Sequence, residues 1–183
     1  MLKKIFKQLL REFITFVEIP LLFYPSSLIA NKLRLIYFSK KLKLERPIAI
    51  SSNFDIRETG LITIGSDFMV NKNVTIDAAG SLGIFIGNQV MIGPNVYIRS
   101  ANHSISSDLP MNQQGYEFKK IIHADKELSI VIEDNVWIGA NCIILSGSHI
   151  GEGSVLSAGS VVSSIIPKRS IVVGNPGRVV KKR

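Results

Sequence analysis

The chain has 183 residues, of which 46% are hydrophobic and 20% are charged, with one cysteine; this composition suits one sizeable domain and excludes a disordered or low-complexity protein. The single cysteine excludes a disulfide framework and a zinc site built on several thiolates. The formal net charge of +8 is uneven, because residues 1–46 hold ten basic and three acidic residues, residues 47–167 hold six and eleven, and residues 168–183 hold six and none. This distribution argues against a nucleic-acid groove over the whole protein and indicates separate anionic partners at the two ends.

The N-terminal segment, residues 1–46, is predicted to be helical and amphipathic. Apolar residues fall on one stripe of a helix over residues 2–17, and basic and polar residues cover its other face. A second helix is predicted from an N-cap at Ser26 or Ser27 to about Leu42. The sequence predicts neither a membrane-spanning helix nor a secretory signal. Two interpretations remain open: the segment caps the end of the following domain, or it binds an anionic membrane surface.

Aliphatic residues recur every six positions through most of the remaining chain. An α-helix does not preserve a step of six, whereas six residues fit one short strand and a corner at which Gly or Asn takes a positive φ. Three such sides close one coil, so the pattern predicts an all-β domain over residues 47–173, a parallel β-helix with an aliphatic ladder inside. The repeating positions are Ile50, Ile56 and Ile62, then Ile64, Val70 and Ile76, then Ile86, Ile92 and Ile98, and finally Ile132, Ile138, Ile144, Ile150, Leu156 and Val162. The predicted stacking pairs are Ile132 with Ile150, Ile138 with Leu156, and Ile144 with Val162.

The repeat is interrupted between Ile98 and Ile132. Residues 101–129 are mostly polar and include His103 and His123. An excursion of this length from a repetitive fold is usually functional when it is ordered. We therefore predict an inserted active-site loop over residues 101–129.

The run from Ile132 reads Ile-Glu-Asp-Asn-Val-Trp-Ile-Gly-Ala-Asn and is followed by Gly-Glu-Gly-Ser-Val-Leu-Ser-Ala-Gly-Ser-Val-Val and Gly-Asn-Pro-Gly-Arg. These residues resemble the hexapeptide-repeat O-acetyltransferases, in the branch of maltose, galactoside and polysaccharide acetyltransferases. The resemblance covers about residues 50–183 and is most specific over 130–180. It implies a left-handed β-helix, an exception to the usual right-handed crossover. It also implies a homotrimer that binds acetyl-CoA in grooves between neighbouring subunits, with no metal required.

A base is needed to move an acetyl group from a thioester to a sugar hydroxyl, because that hydroxyl is not acidic at neutral pH. Histidine suits this role, since its ordinary pKa is about 6.5. By resemblance, His103 is the catalytic base, where the chain leaves the coil. His123, either substrate-facing or solvated, and His149, a predicted surface residue, are weaker candidates. Cys142 is predicted to be a small core residue rather than a nucleophile, because its register points inward.

The resemblance also implies residues that bind the acceptor. Asn71, Asn102 and Trp137 match positions near the acceptor, although a corner asparagine such as Asn71 is equally typical of a turn. The acidic residue of the galactoside enzymes falls at Ala79 here, and Asp77 is only nearby. This departure leaves the sugar specificity open.

Coenzyme binding is implied for seven positions: Trp137, Ala140, Ala158, Ser163, Ser164, Arg178 and Lys181. The two alanines are small enough for a pantetheine arm to approach the backbone. Ser163 and Ser164 stand where the family often has Thr-Lys, so one phosphate-facing cation is missing, for which Lys168 or Arg169 would compensate. In the basic C-terminal tail, residues 174–183, Arg178 and Lys181 match positions near the 3′-phosphate of the coenzyme. The alternative is a solvated tail.

The sequence thus predicts an acetyl-CoA-dependent sugar O-acetyltransferase that works by direct transfer. It is expected in the cytoplasm, peripheral to the inner membrane, acting on a free or lipid-linked saccharide in bacterial surface polysaccharide biosynthesis, whether O-antigen, capsule or exopolysaccharide. An amino-sugar N-acetyltransferase and a non-catalytic hexapeptide-repeat scaffold are the alternatives. A γ-type carbonic anhydrase is disfavoured, because it needs three zinc-binding histidines and the three in this sequence include no closely spaced pair.

Overall fold

The computed structural model describes residues 5–6, 9, 16, 20–21, 23–25, 27–105 and 108–183. The helix predicted over residues 2–17 therefore lies mostly outside the described residues. The second predicted helix is present as α1 (Leu28–Leu42), with Ser27 as its N-cap: the Ser27 hydroxyl accepts a hydrogen bond from the Ala30 N–H at 3.2 Å. Among the described residues, no helix is long and apolar enough to cross a membrane.

Helix α1 packs on the open end of the domain through its buried face. The ring of Phe38 lies 5.0 Å from that of Phe54 in the first coil, measured between centroids. Arg34 is also buried, and its guanidinium donates hydrogen bonds to the Leu21 carbonyl at 2.7 Å and the Asn31 side chain at 2.9 Å. Its charge therefore does not contribute to a basic outer surface, and α1 caps the domain.

From Ala49 the chain winds into a parallel β-solenoid of about six turns with three faces. The first face consists of β1 (Ala49–Ile50), β4 (Met69–Val70), β7 (Met91–Ile92), β14 (Trp137–Ile138), β17 (Val155–Leu156) and β20 (Ser170–Val173), with β21 (Arg178–Lys182) antiparallel at its edge. The second consists of β2 (Phe54–Arg57), β5 (Val74–Asp77), β8 (Tyr97–Arg99), β15 (Ile143–Leu145) and β18 (Val161–Val162). The third consists of β3 (Ile62–Ile64), β6 (Ile84–Ile86), β13 (Ile130–Ile132), β16 (Ser148–Ile150) and β19 (Ile165–Ile166). The predicted fold class is confirmed.

The predicted aliphatic ladder forms the core. Strand pairing sets Ile132 beside Ile150, Ile138 beside Leu156, and Ile144 beside Val162, and all six side chains are at most 1% exposed. Burying each such side chain stabilises the fold by about 1.5–3 kcal/mol. The six-residue spacing therefore determines both the coil and its core.

Asparagines stack along the corner between the first and second faces. Asn53, Asn73, Asn95 and Asn141 all have φ between 53° and 58°, a conformation that asparagine tolerates better than most residues. The side-chain amides of Asn53, Asn73 and Asn95 each donate a hydrogen bond to the side-chain oxygen of the next asparagine, at 3.1, 2.9 and 3.1 Å. The corner is thus held by side-chain bonds as well as by the backbone.

Gly139 lies at the same corner but has a different reason to be glycine. A Cβ atom there would lie 2.7 Å from the Ala158 nitrogen and 2.7 Å from the Leu156 oxygen, both backbone atoms of the next coil. We expect Gly139→Ala to lower the free energy of unfolding by about 1–3 kcal/mol, because the coils must separate. Gly60→Ala is the matched control, since no atom lies within 4 Å of its Cβ position. Urea denaturation of both variants tests this, and equal losses would contradict it.

The excursion at residues 101–129 leaves the solenoid between the second and third faces. It contains two antiparallel ribbons: β9 (Asn102–His103) pairs with β10 (Tyr116–Glu117), and β11 (Ile121–His123) pairs with β12 (Lys126–Leu128). A 3₁₀ turn, Met111–Gln113, lies between β9 and β10. The β11–β12 hairpin covers the third face, where Val131 is fully buried although its position in β13 points outward.

Candidate active site

His103 lies in β9 on the exposed side of the excursion, and the β9–β10 ribbon fixes its position. In that ribbon it pairs directly with Tyr116, and the two rings lie 4.9 Å apart between centroids with a 37° tilt. Such stacking limits the rotation of an imidazole while leaving its edge open to solvent. The predicted base is therefore accessible to a substrate and oriented by an aromatic neighbour.

An ion pair between Asp77 and Arg99 of the solenoid contacts this ribbon through Tyr116. Asp77 at the end of β5 is 2% exposed, and its carboxylate accepts hydrogen bonds from the Arg99 guanidinium and from the Ala79 N–H, the latter at 2.9 Å. The Arg99 guanidinium in turn lies 5.7 Å from the centre of the Tyr116 ring, within cation–π distance. Asp77 thus orients Arg99 through its carboxylate. The repeat offered a signal for this pair, because the two residues follow the ladder residues Ile76 and Ile98 and are partners in the register of β5 and β8, but it offered none for the contact with Tyr116.

A groove of about 470 Å³ lies at the foot of the excursion, and two predicted site residues line it together. Asn102 of β9 is on one side, and Ser163, which follows β18, is on the other. Glu117, Phe118, Lys119, Leu145 and Ser146 complete the lining. The Ser146 hydroxyl accepts a hydrogen bond from the Lys119 N–H at 2.7 Å, which ties the excursion to the coil. The structure therefore brings Asn102 and Ser163 together at one corner of the solenoid, and His103 and Ser164 are their neighbours in the chain.

The other predicted residues lie along the first face and its corner. Ala140 and Ala158 follow β14 and β17 at the corner to the second face, and Asn71 follows β4 at the same corner, one register position earlier. The Asn71 side-chain oxygen accepts a hydrogen bond from the Lys72 N–H at 2.7 Å, as expected of a turn former. Within one chain, the whole second face separates these residues from His103.

Trp137 is 52% exposed on the first face. Its neighbours there form an apolar groove of about 460 Å³, lined by Gln89, Met91, Asn135, Val136, Trp137, Val155, Ile171 and Arg183. Arg183 donates a hydrogen bond to the Gly153 carbonyl at 3.1 Å, which holds this cation at the edge of the groove. Arg178 and Lys181 lie on β21 beside it and are exposed. The predicted tail is therefore an ordered basic strand next to an aromatic groove.

Cys142 is not available as a nucleophile. Cys142 is fully buried, its thiol donates to the Ser157 carbonyl at 3.2 Å, and burial raises its pKa. It is a core residue, as predicted.

Burial alone would raise the pKa of Glu133, but hydrogen bonds from the Glu152 N–H and the His149 ring, together with the charge of Lys168, hold that pKa below its ordinary value.

His149 lies next to Glu133 and His123 on the third face, a cluster that the sequence reasoning missed. The His149 Nε2 atom is 2.7 Å from a Glu133 carboxylate oxygen, and the His149 and His123 rings are 5.9 Å apart. A signal was present: one coil sets His149 beside Val131, two residues before Glu133. The position of His123 depends on the excursion and had no such signal.

Comparisons with known proteins agree with this architecture. The family model described as "Bacterial transferase hexapeptide (six repeats)" matches residues 129–164. A galactoside O-acetyltransferase of Lactococcus lactis subsp. lactis (strain IL1403) is 38% identical over 121 residues, which cover 66% of this chain and 53% of that protein. This chain therefore spans about half the length of that relative.

Two further proteins match over greater shares of their own length. A protein of Escherichia coli (strain K12) named for O-acetyl transfer in lipopolysaccharide biosynthesis is 29% identical over 148 residues, covering 69% of this chain and 74% of that protein. The solved structure of a hexapeptide-repeat-containing acetyltransferase of Vibrio cholerae O1 biovar eltor, complexed with acetyl coenzyme A, superposes with a TM-score of 0.70 at 28% identity. That match covers 96% of this chain and 87% of the Vibrio chain.

Proposed function

We propose that this chain transfers an acetyl group from acetyl-CoA to a sugar hydroxyl. The chain belongs to the hexapeptide-repeat acetyltransferase family, in its galactoside and maltose O-acetyltransferase branch. The observation that carries this proposal is the position of His103. It is exposed, stacked on Tyr116, and adjacent in β9 to Asn102, which lines a groove of about 470 Å³. A solvent-accessible, oriented imidazole beside a polar groove is what general-base catalysis on a hydroxyl requires.

In the proposed reaction, a His103 ring nitrogen accepts the proton of the acceptor hydroxyl while the hydroxyl oxygen attacks the thioester carbonyl. The new C–O bond forms, the C–S bond breaks as the tetrahedral intermediate collapses, and the coenzyme leaves as a thiol after protonation by the imidazolium. A backbone N–H at a corner of the solenoid would stabilise the oxyanion. Asn102 would orient the acceptor, and no covalent enzyme intermediate is needed.

We infer that a second copy of the chain completes this site. Trp137, Ala140 and Ala158 lie on the side of the second face opposite His103, whereas donor and acceptor must meet at one point. In a trimer, the first-face groove and alanine corner of one copy would face the excursion of the next. The coenzyme would then lie between subunits, with Ser163 and Ser164 on one wall and Asn71 near the acceptor. Light scattering tests the oligomeric state, and a monomer that is fully active would contradict this inference.

The donor site is proposed to end at the basic strand β21. Double replacement Arg178→Ala and Lys181→Ala should raise the KM for acetyl-CoA roughly tenfold and lower kcat much less, because these cations would bind the coenzyme phosphates in ground and transition states alike. Higher salt should weaken the binding of coenzyme to the unmodified protein. The matched control, measured with a soluble acceptor so that membrane contact has no effect, is Lys32→Ala with Lys40→Ala, which removes two exposed cations from α1. Equal KM values in both double variants would contradict the assignment.

For the acceptor, we infer a saccharide of surface polysaccharide biosynthesis, at the cytoplasmic side of a membrane. The Escherichia coli relative supports this choice. So does the outer surface of α1, where Ile29, Leu33 and Ile36 are more than half exposed beside Lys32 and Lys40, a combination typical of interfacial helices. Co-sedimentation with vesicles of anionic or neutral lipid tests this contact. Equal binding to the two kinds of vesicle would contradict it.

The direct test of the activity is a coenzyme-release assay on the purified chain with acetyl-CoA. Free oligosaccharides, nucleotide sugars and lipid-linked saccharides serve as acceptors, and the mass of each product is measured. An ester on a hydroxyl supports the proposal, whereas exclusive acetylation of amino sugars assigns N-transfer instead. Failure of every acceptor, together with no thermal shift on addition of acetyl-CoA, would favour a non-catalytic scaffold.

A further inference from the structure

Two histidines and a glutamate meet on the third face, away from His103. His123, Glu133 and His149 each offer one ligand atom, and these atoms lie within 4.8 Å of one another. All three side chains are half-buried. They come from three separate elements: the β11–β12 hairpin of the excursion, the corner after β13, and strand β16.

Each of the three side chains is held in place by a neighbour. The His123 ring packs on Phe85 of β6, with 4.8 Å between ring centroids. One oxygen of the Glu133 carboxylate lies 2.7 Å from His149, and the other accepts the Glu152 N–H at 2.9 Å. Carboxylates that ligate metals are oriented by hydrogen bonds of this kind. The cluster is therefore ordered before any ligand arrives.

The surroundings also suit a cation. His123 and Glu133 border a pocket of about 440 Å³ that Asn88, Asp134, Glu152 and Lys168 help to line, and His149 lies beside it, 2.7 Å from Glu133. The lining thus holds three carboxylates and one ammonium group. Lys168 lies 3.5 Å from Glu133 and 3.2 Å from Glu152, and its side chain is 64% exposed. Because it is so exposed, Lys168 is free to turn towards solvent when a metal ion replaces its charge.

We propose that His123, Glu133 and His149 bind one divalent transition-metal ion of the zinc class. Two imidazole nitrogens and one carboxylate oxygen form a donor set that Zn²⁺ uses, with a fourth position open to water. Imidazole ligands disfavour Mg²⁺ and Ca²⁺, which prefer oxygen. On binding, the His149–Glu133 hydrogen bond is replaced by a bond from each residue to the ion, and any proton between them is released.

The ion would join the excursion to the solenoid. His123 belongs to the β11–β12 hairpin, whereas Glu133 and His149 belong to the coils. A metal bound by all three would fasten the hairpin to the third face, where it already covers Val131. In this proposal the ion holds the hairpin on the third face, a role that goes beyond acetyl transfer, because none of its ligands lines the groove beside His103.

Titration of the tag-free full chain with Co²⁺ tests the proposal at one fixed pH of about 7.5, because metal affinity depends on pH. The unmodified protein and the His103→Asn control are expected to bind one ion per chain, with the intense visible absorption of four-coordinate cobalt. The variants His123→Asn, His149→Asn and Glu133→Gln should each bind at least about tenfold more weakly. Added Zn²⁺ should raise the Tm of the unmodified protein and of the control.

Two results would overturn the proposal: no bound cobalt in the unmodified protein, or equal affinity in all five proteins. If His149→Asn does not fold, His123→Asn still decides the question, because His123 lies on the excursion and outside the core. Metal binding is measured here without acetyl transfer. Its failure would therefore leave the proposed transferase activity untouched, and an inactive enzyme that binds cobalt would leave the metal site intact.

Discussion

Replacing His103 with alanine is expected to lower kcat for acetyl transfer by about 10²–10⁴-fold, the usual contribution of general-base catalysis. The KM for acetyl-CoA should change little, since the proposed donor site is built from the first face, β21 and the two serines after β18 rather than from β9. The variant would lose stabilisation of the transition state rather than substrate binding, because the base accepts the hydroxyl proton as the C–O bond forms. Steady-state kinetics with the best acceptor, together with calorimetric binding of acetyl-CoA, measure the two quantities separately.

Ile122→Ala is the matched control for this variant. Ile122 lies on the same excursion, is 63% exposed, and has no part in the proposed chemistry, so its replacement should leave kcat within about twofold. If His103→Ala abolished acetyl-CoA binding as well as turnover, a structural role would explain the loss better than a base would. If it retained full activity, the imidazole would not be the base.

The solenoid was predictable because its determinants are local and repeated. An aliphatic residue every sixth position specifies the inward side chain of each strand, so Ile138 and Leu156 had to stack once the coil closed. Asn73 and Asn95 mark the corners by the same logic, since few other residues accept a positive φ. Helix α1 was predictable from Ser27, whose hydroxyl caps it. In each case a short stretch of sequence contains the physical cause.

The support of the active site was not predictable in this way. The coil register sets Asp77 beside Arg99, 22 residues later, but the contact of Arg99 with Tyr116 depends on how the excursion folds back on the coil. His123 and His149 lack close spacing in sequence, yet the β11–β12 hairpin sets their rings 5.9 Å apart. An inserted segment with no repeat contains no register from which such contacts are derived. The acceptor specificity could not be predicted for the same reason.

Replacing Ile138 with alanine is expected to lower the free energy of unfolding by about 2–5 kcal/mol, which is the cost of a large cavity in a core. Ile138 is fully buried between Ile92 and Leu156. The cavity has little freedom to close, because Gly93 N–H donates to the Ile138 carbonyl and Gly139 N–H to the Leu156 carbonyl, both at 2.8 Å. The backbone spacing of the coils is thereby fixed on both sides of the missing side chain.

Urea denaturation at one fixed protein concentration measures this loss, since assembly would make the apparent stability depend on concentration. The matched control is Ile165→Ala on the third face, where the side chain is 71% exposed and its removal should cost less than about 0.5 kcal/mol. A difference of this size assigns the stability of the coil to its interior ladder. Equal losses in the two variants would instead show that contacts on the outer faces stabilise the coil as much as its core does.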